Sequence, residues 1–216
     1  MSRTVWSDWI FDLVRDRRDR VHQGPRTLVV LQGSSAVGKT TVARCLARRY
    51  GLASIDTNAI KRGMGITHDQ LFEHTEMEPD KQWLVEIDSY FKYGWRGAAA
   101  SASLSAVLLA AEAMDQGCDA VIAGLQNAWL RSFHDWEEVV ARLVAPHRMF
   151  GVRLVTDPTA RMDRLRERSP GQWSWSPEDI PNDEDLLTVD TTNVLPADVA
   201  DSIIKHSRIP VTILAS

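Results

Sequence analysis

Along the chain, short continuous apolar runs alternate with stretches whose apolar residues recur every three or four positions, the alternation expected of an α/β protein. Thr27–Gln32, built on Leu28–Leu31, is a run of the kind a parallel strand shows when both faces are covered. Val42, Cys45, Leu46 and Tyr50 then mark the buried stripe of a helix over Thr41–Tyr50, and Gly51 stands where helices end. Ala53-Ser54-Ile55 is short but falls where a second strand belongs, ending at Asp56. Ala98–Gln116, rich in Ala and Leu with Gly117 behind it, predicts a long helix buried along one face of the sheet. Ala120–Gly124 predicts the third strand, a helix follows around Trp136–Leu143, and Phe150–Val155 is the fourth strand. Asp157-Pro158 supplies an N-cap and a first-turn proline for the next helix. Leu186–Val189 is the fifth strand and Pro196–His206 the last helix, with Val211–Leu214 either an edge strand or a tail. The expected architecture is a three-layer α/β/α fold with a mostly parallel sheet, one domain over residues 1–216.

Three stretches stand outside that alternation. Val5, Trp6, Trp9, Ile10, Leu13 and Val14 have helical spacing and precede the charged run Arg15–Arg20, which predicts an extra N-terminal helix within residues 1–24. Residues 63–97 carry Trp83, Leu84, Ile87, Tyr90 and Phe91 at helical spacing, a helical insertion whose aromatics fill the core or, as the family resemblance given below implies, form the substrate-binding region. Ser169–Asp185, bearing Pro177, Pro181, Trp173 and Trp175, reads as a loop over the site, and residues 161–185 as a lid.

The net charge of the 216 residues is −4, which argues against a nucleic-acid partner. Cys45 and Cys118 have no metal-ligand spacing and are expected as core thiols in a reducing compartment. No apolar run approaches the ~20 residues that span a bilayer, and Asp8, Asp12 and Arg15 interrupt the N-terminal apolar residues, so no membrane partner and a cytoplasmic location are expected.

The chemistry centres on Gly33-Ser34-Ser35-Ala36-Val37-Gly38-Lys39-Thr40, which matches G-x-x-x-x-G-K-[ST] between a readable strand and a readable helix. Gly33 and Gly38 let successive N–H groups point at a phosphate, Lys39 reaches the β- and γ-phosphates, and Thr40 takes one position on Mg²⁺. Thr41 continues the loop into the positive end of the helix. Asp56, at a strand's carboxyl end, is either a base for an attacking hydroxyl or a helix N-cap. Asn58 and Arg62 beside it, and Gln126 and Trp129 after the third strand, are candidate acceptor contacts. The third strand ends in Ala123-Gly124, without the acidic residue that many phosphate-loop proteins place there for Mg²⁺. Arg161, Arg164 and Arg168 share one helix face: either a lid that neutralises a transferring phosphoryl group or a solvated face balanced by Asp163 and Glu167.

The stretches G-S-S-A-V-G-K-T-T-V-A-R-C-L-A-R-R and S-I-D-T-N-A-I-K-R-G-M resemble the P-loop small-molecule kinases, chloramphenicol phosphotransferase and 2-phosphoglycerate kinase foremost. Adenylylsulfate kinase, zeta-type toxins and the kinase half of polynucleotide kinase are similar at a greater distance. Asp157–Arg168, D-P-x-x-x-x-x-R-L-R-x-R, resembles their helix-and-lid segment. The resemblance implies ATP and Mg²⁺, with Gly33, Ser34, Ser35, Ala36, Val37, Gly38, Lys39, Thr40, Thr41 and Arg161 on the nucleotide and Thr191 and Thr192 beside its base. It implies Asp56 as catalytic base, together with Lys39, Arg164 and Arg168 at the phosphoryl group. A small-molecule hydroxyl would be the acceptor, on an antibiotic or other natural product, or on a sugar acid or nucleotide. A nucleotide-hydrolysing regulator would use the same loop, but Ala123-Gly124 disfavours it. The chain has no Asn-Lys-x-Asp stretch, which favours ATP over GTP.

Overall fold

The computed structural model describes residues 24–63, 95–125, 140, 141, 143–168, 186–207 and 209, with the backbone alone for 95–101 and 168. Strands β1 (Thr27–Gln32), β2 (Ala53–Asp56), β3 (Ala120–Ala123), β4 (Arg148–Val155) and β5 (Leu187–Asp190) form a five-stranded sheet in the order β2-β3-β1-β4-β5, with every pairing parallel. Helices α1 (Lys39–Tyr50), α2 (Thr57–Gly63), α3 (Trp95–Asp115), α4 (Pro158–Arg168) and α5 (Pro196–Ser207) connect and cover it. β1 lies at the centre, pairing Leu28 to Leu31 with Ala120 to Ala123 and Thr27 to Gln32 with Arg148 to Arg153. This is the three-layer α/β/α architecture expected from the apolar runs.

Because side chains alternate along a strand, β1 feeds two cores. Val29 and Leu31 join Leu46, Val152, Leu154 and Ile203, the layer closed by α1 and α5. Leu28 and Val30 join Ala106, Ala110, Met114 and Ile122, the layer closed by α3. The alanines of α3 let its backbone lie close to the sheet, and the helix stops where the Gly117 N–H (φ +92°) bonds the Met114 carbonyl. Among the described residues no helix is long and apolar enough to cross a membrane.

The two ends of the sheet differ. At the amino ends of the strands, Asp119 Oδ1 accepts from the Thr27 N–H at 2.7 Å. Buried His147 accepts from the Arg26 N–H at Nδ1 (3.1 Å), so its Nε2–H donates to Asp115 at 2.9 Å. These contacts tie α3 and the start of β4 to the start of β1, leaving the carboxyl ends for the site.

Several expectations need correction. Cys118 is exposed and is not a core thiol, whereas Cys45 is half-buried and packs against the core beneath α1 and α5. Cys118 falls in the polar turn between α3 and β3, where the chain has already left the core. Helix α1 begins at Lys39, because the loop itself turns into the helix, and α3 begins at Trp95, before the alanine-rich run. Strand β4 begins at Arg148, whose N–H bonds the Arg26 carbonyl at 2.8 Å; the ladder continues past the last apolar residue. The N-terminal helix, the insertion at 64–94, the loop at 169–185, Gln126 and Trp129 lie outside the described residues.

Candidate active site

The loop between β1 and α1 combines steric necessity with an open anion seat. Gly33 sits at φ +131°, and a Cβ there would collide with the Leu154 carbonyl oxygen and come within 3.0 Å of Val37 Cγ2. Only glycine lets β1 turn this close to β4. Ala36 (φ 66°) and Gly38 (φ 96°) complete the turn, with Val37 buried beneath it and Ser35 exposed at its tip. No side chain caps α1 and no acidic residue stands in its first turn, so the N–H groups at Lys39–Thr41 and the helix dipole are left for an anion. Lys39 Nζ donates to the Gly33 and Ser34 carbonyls, each at 2.6 Å, folding the ammonium across the loop. Thr40 is half-buried in that first turn and Thr41 is exposed.

On the β5 side, buried Thr191 holds the loop. Its Oγ1 lies 2.9 Å from the Val37 carbonyl and 3.0 Å from that of Val155, so its hydroxyl is engaged by main chain. Arg164 reaches across from α4, donating Nη2 to the carbonyls of Thr191 (2.8 Å) and Thr192 (3.1 Å) and Nη1 to that of Ala36 (3.4 Å). Arg161 Nε donates to the Ser35 carbonyl at 3.1 Å. Two of the three arginines on the α4 face therefore rest on the phosphate loop. Asp157 caps α4, accepting from the N–H of Thr159 (2.8 Å) and Ala160 (3.2 Å). Thr192 Oγ1 accepts from the Asp157 N–H at 2.8 Å and donates to Asp190 at 2.6 Å. The hydroxyl and N–H of Thr192, aided by Arg164, hold the Asp190 carboxyl below the usual carboxylate range.

The β2–α2 junction carries Asp56. Its Oδ1 accepts the Asn58 N–H at 2.9 Å, so this carboxylate does cap α2, and the cap fixes its orientation. Asn58 and Arg62 are exposed. Thr57, fully buried, has its hydroxyl 3.0 Å from the Ala123 carbonyl and 2.7 Å from that of Gly124, joining α2 to the end of β3. Gly124 (φ +88°) lies between both halves of the site: a Cβ there would meet Thr57 Oγ1 at 3.0 Å and Lys39 Cε at 3.8 Å. With its positive φ and Thr57 Oγ1 this close, position 124 disfavours any larger side chain. One turn beyond Thr57, Lys61 is buried; desolvation pushes its ammonium down to about 8, against the opposing pull of Asp56.

Thr57 and Lys61 were not singled out by sequence. Their i, i+4 spacing on the helix that follows Asp56 was the available signal. Among the described residues no three His, Cys, Asp or Glu side chains cluster as a metal site; the Thr40 hydroxyl is a group that could take one position on Mg²⁺.

No protein-family model matches the chain. A 76-residue stretch, 34% of the chain, is 34% identical to a cytidylate kinase of Magnetococcus marinus, and the chain spans about a third (32%) of that protein's length. Among solved structures, a kinase-like protein of Chloroflexus aurantiacus superposes with a TM-score of 0.54 at 23% identity, over 87% of this chain and 98% of its own. The APS kinase of Mycobacterium tuberculosis, solved with AMPPNP and APS, superposes with a TM-score of 0.54 at 18% identity, over 86% and 99%. A sugar kinase of Janibacter sp. HTCC2649 gives a TM-score of 0.50 at 15% identity, over 87% and 96%. At these identities the likeness is one of fold, and that fold is the one P-loop kinases share.

Proposed function

We propose that the protein transfers the γ-phosphoryl group of ATP to a hydroxyl of a small organic molecule. The observation that carries this reading is the meeting at Gly124 of the Lys39 stem, from the phosphate loop, with Thr57, the residue that follows Asp56. A loop alone fits any nucleotide binder; an oriented carboxylate at the neighbouring strand end gives it an acceptor side.

In the proposed reaction Lys39 exchanges its two loop carbonyls for β- and γ-phosphate oxygens, and the N–H groups of α1 receive the remaining charge. Thr40 would hold Mg²⁺ on the protein side, and the ion would supply charge neutralisation for the phosphates. Asp56 accepts the proton of the acceptor hydroxyl while its oxygen forms the new P–O bond and the bond to the ADP oxygen breaks. Arg161 and Arg168 stabilise charge on the transferring group, and Arg164, bonded to three carbonyls, keeps loop and lid helix in register. Thr192 borders the nucleotide's base.

The acceptor has two readings. The resemblance to chloramphenicol phosphotransferase and the aromatic composition of residues 83–95 favour a ring-bearing antibiotic or natural product. The positive charge of Lys61, on the helix that follows Asp56, favours a metabolite that carries its own negative charge. The acidic balance of the chain speaks against a polynucleotide, and ATP as donor would suit a cytoplasmic location.

The test is mass spectrometry of small-molecule pools incubated with the protein, ATP and Mg²⁺, beside Lys39→Ala and Asp56→Asn. A compound that gains one phosphate with the wild type alone names the acceptor. ADP release with no phosphorylated product, unchanged in Asp56→Asn, would overturn the reading in favour of a nucleotide-hydrolysing regulator.

A further inference from the structure

Helix α3 is apolar on the side that faces away from the sheet as well as on the side that faces it. Between residues 102 and 114 it carries one charged side chain, Glu112. Its inner face is closed, with Ala106, Val107, Ala110 and Met114 buried. Its outer side presents half-buried Leu104 and Leu108 and then Leu109, which is 53% exposed. A single exposed leucine is ordinary on a protein surface. A helix that is apolar all round, by contrast, is the kind that is covered all round.

The chain holds a matching segment, and the fold fixes where it starts. One imidazole ring, that of His147, bridges the Arg26 N–H (3.1 Å) and the Asp115 carboxylate (2.9 Å), so the residues leading into β1 emerge at the last turn of α3. Gly24 and Pro25 are exposed there. Before them, Val5, Trp6, Trp9, Ile10, Leu13 and Val14 share one helical face, and residues 15–20 then bring four arginines against two aspartates. As a helix, residues 5–22 would be about 27 Å long, against about 31 Å for the 21 residues of α3. Ending where α3 ends, this helix would lie parallel to it. With His22 level with Gln116, Ile10 falls beside Leu104, Val14 beside Leu108 and Arg18 beside Glu112. Both helices thus change from apolar to charged at the same height. The insertion at 64–94 joins α3 at its other end, Trp95.

We propose that residues 5–20 dock as an amphipathic helix on the outer face of α3. Trp9, Ile10, Leu13 and Val14 cover Leu104, Leu108 and Leu109, and the arginines that follow meet exposed Glu112. The segment is then an outer layer of the α3 core, with its apolar face spent inside the molecule. Nothing in this packing depends on what the phosphate loop binds.

The full chain carrying the photo-crosslinker p-benzoylphenylalanine in place of Leu109 tests the docking. After irradiation, peptide mass spectrometry should join position 109 to residues 5–20 of the same chain, with the product at monomer mass. A link to a second copy, a link to residues 64–94 or no link overturns the proposal. Thermal unfolding gives an independent reading. On an open surface Leu109→Asp would leave Tm within about 2 °C. Under a docked helix it should lower Tm by about 4–10 °C, and Ile10→Asp should do the same. The double variant should then fall short of the summed shifts, because both changes break one contact surface. Unchanged Tm values, or shifts that simply add, overturn the docking.

Discussion

The donor and acceptor halves of the proposed site are built on opposite principles. On the donor side, loop, lid helix and the turn after β5 are laced together: Lys39, Arg161, Arg164 and Thr191 all bond main-chain carbonyls. On the acceptor side, Thr57 is bonded to β3 but Lys61 lies buried without a hydrogen bond among the described residues. The donor half is organised before its ligand arrives, so little ordering remains to oppose binding.

The comparison can be broken at several points. The largest effect is expected from Asp56→Asn, because Asn caps helices as well as Asp and the fold should survive. Phosphoryl transfer should fall by about 10²–10⁴-fold with nucleotide affinity unchanged, measured by product formation beside calorimetric nucleotide binding. Lys39→Met should cost about 10²–10³-fold in turnover and weaken nucleotide binding too, which distinguishes donor from acceptor defects. Next comes the pH dependence set by Lys61. Its folded midpoint, about 8, lies below the ordinary 10.5, so between those values the unfolded chain binds more protons and stability rises with pH. Below pH 8 both states are protonated and the burial cost is fully present. Denaturant unfolding should show a gain of up to about 3 kcal/mol across that window, and Lys61→Met should flatten it.

Thr191→Val removes the hydroxyl from two carbonyls and should destabilise by about 1–3 kcal/mol, with a raised KM for ATP as the loop loosens. The smallest effect belongs to Asp157→Ala, which uncaps α4 at a cost of about 1 kcal/mol, a fall of about 2–4 °C in Tm. A Thr191→Val protein with normal KM would show that the donor half is not held by that brace.

What could be read in advance followed from local pattern. The phosphate loop was legible because its eight residues, the preceding strand and the following helix are contiguous, and each strand core announced itself as an apolar run. The limits were equally physical. Thr191 reads as a ligand contact in sequence, yet its hydroxyl lies against Val37, 154 residues away, a contact no local spacing encodes. Lys61 reads as one of two basic residues complementing a helix C-terminus, and only the packing of α2 buries it. Ala123-Gly124 could be recognised as a departure, whereas the positive φ of Gly124 and its closeness to Thr57 Oγ1 needed coordinates.

The central position of β1 also shapes how the molecule is made. Its neighbours come from distant parts of the chain: the Thr27 N–H meets Asp119, 92 residues on, and Arg148, 121 residues on, reaches the Thr27 hydroxyl. Such pairings close long loops before any contact rewards them, which makes folding slow for a chain of this size. The phosphate loop hangs between β1 and α1 and rests on β4 and β5, so it acquires its shape last. A fluorescent ATP analogue followed during refolding would therefore light up only with the completed sheet, making nucleotide binding a late marker of folding.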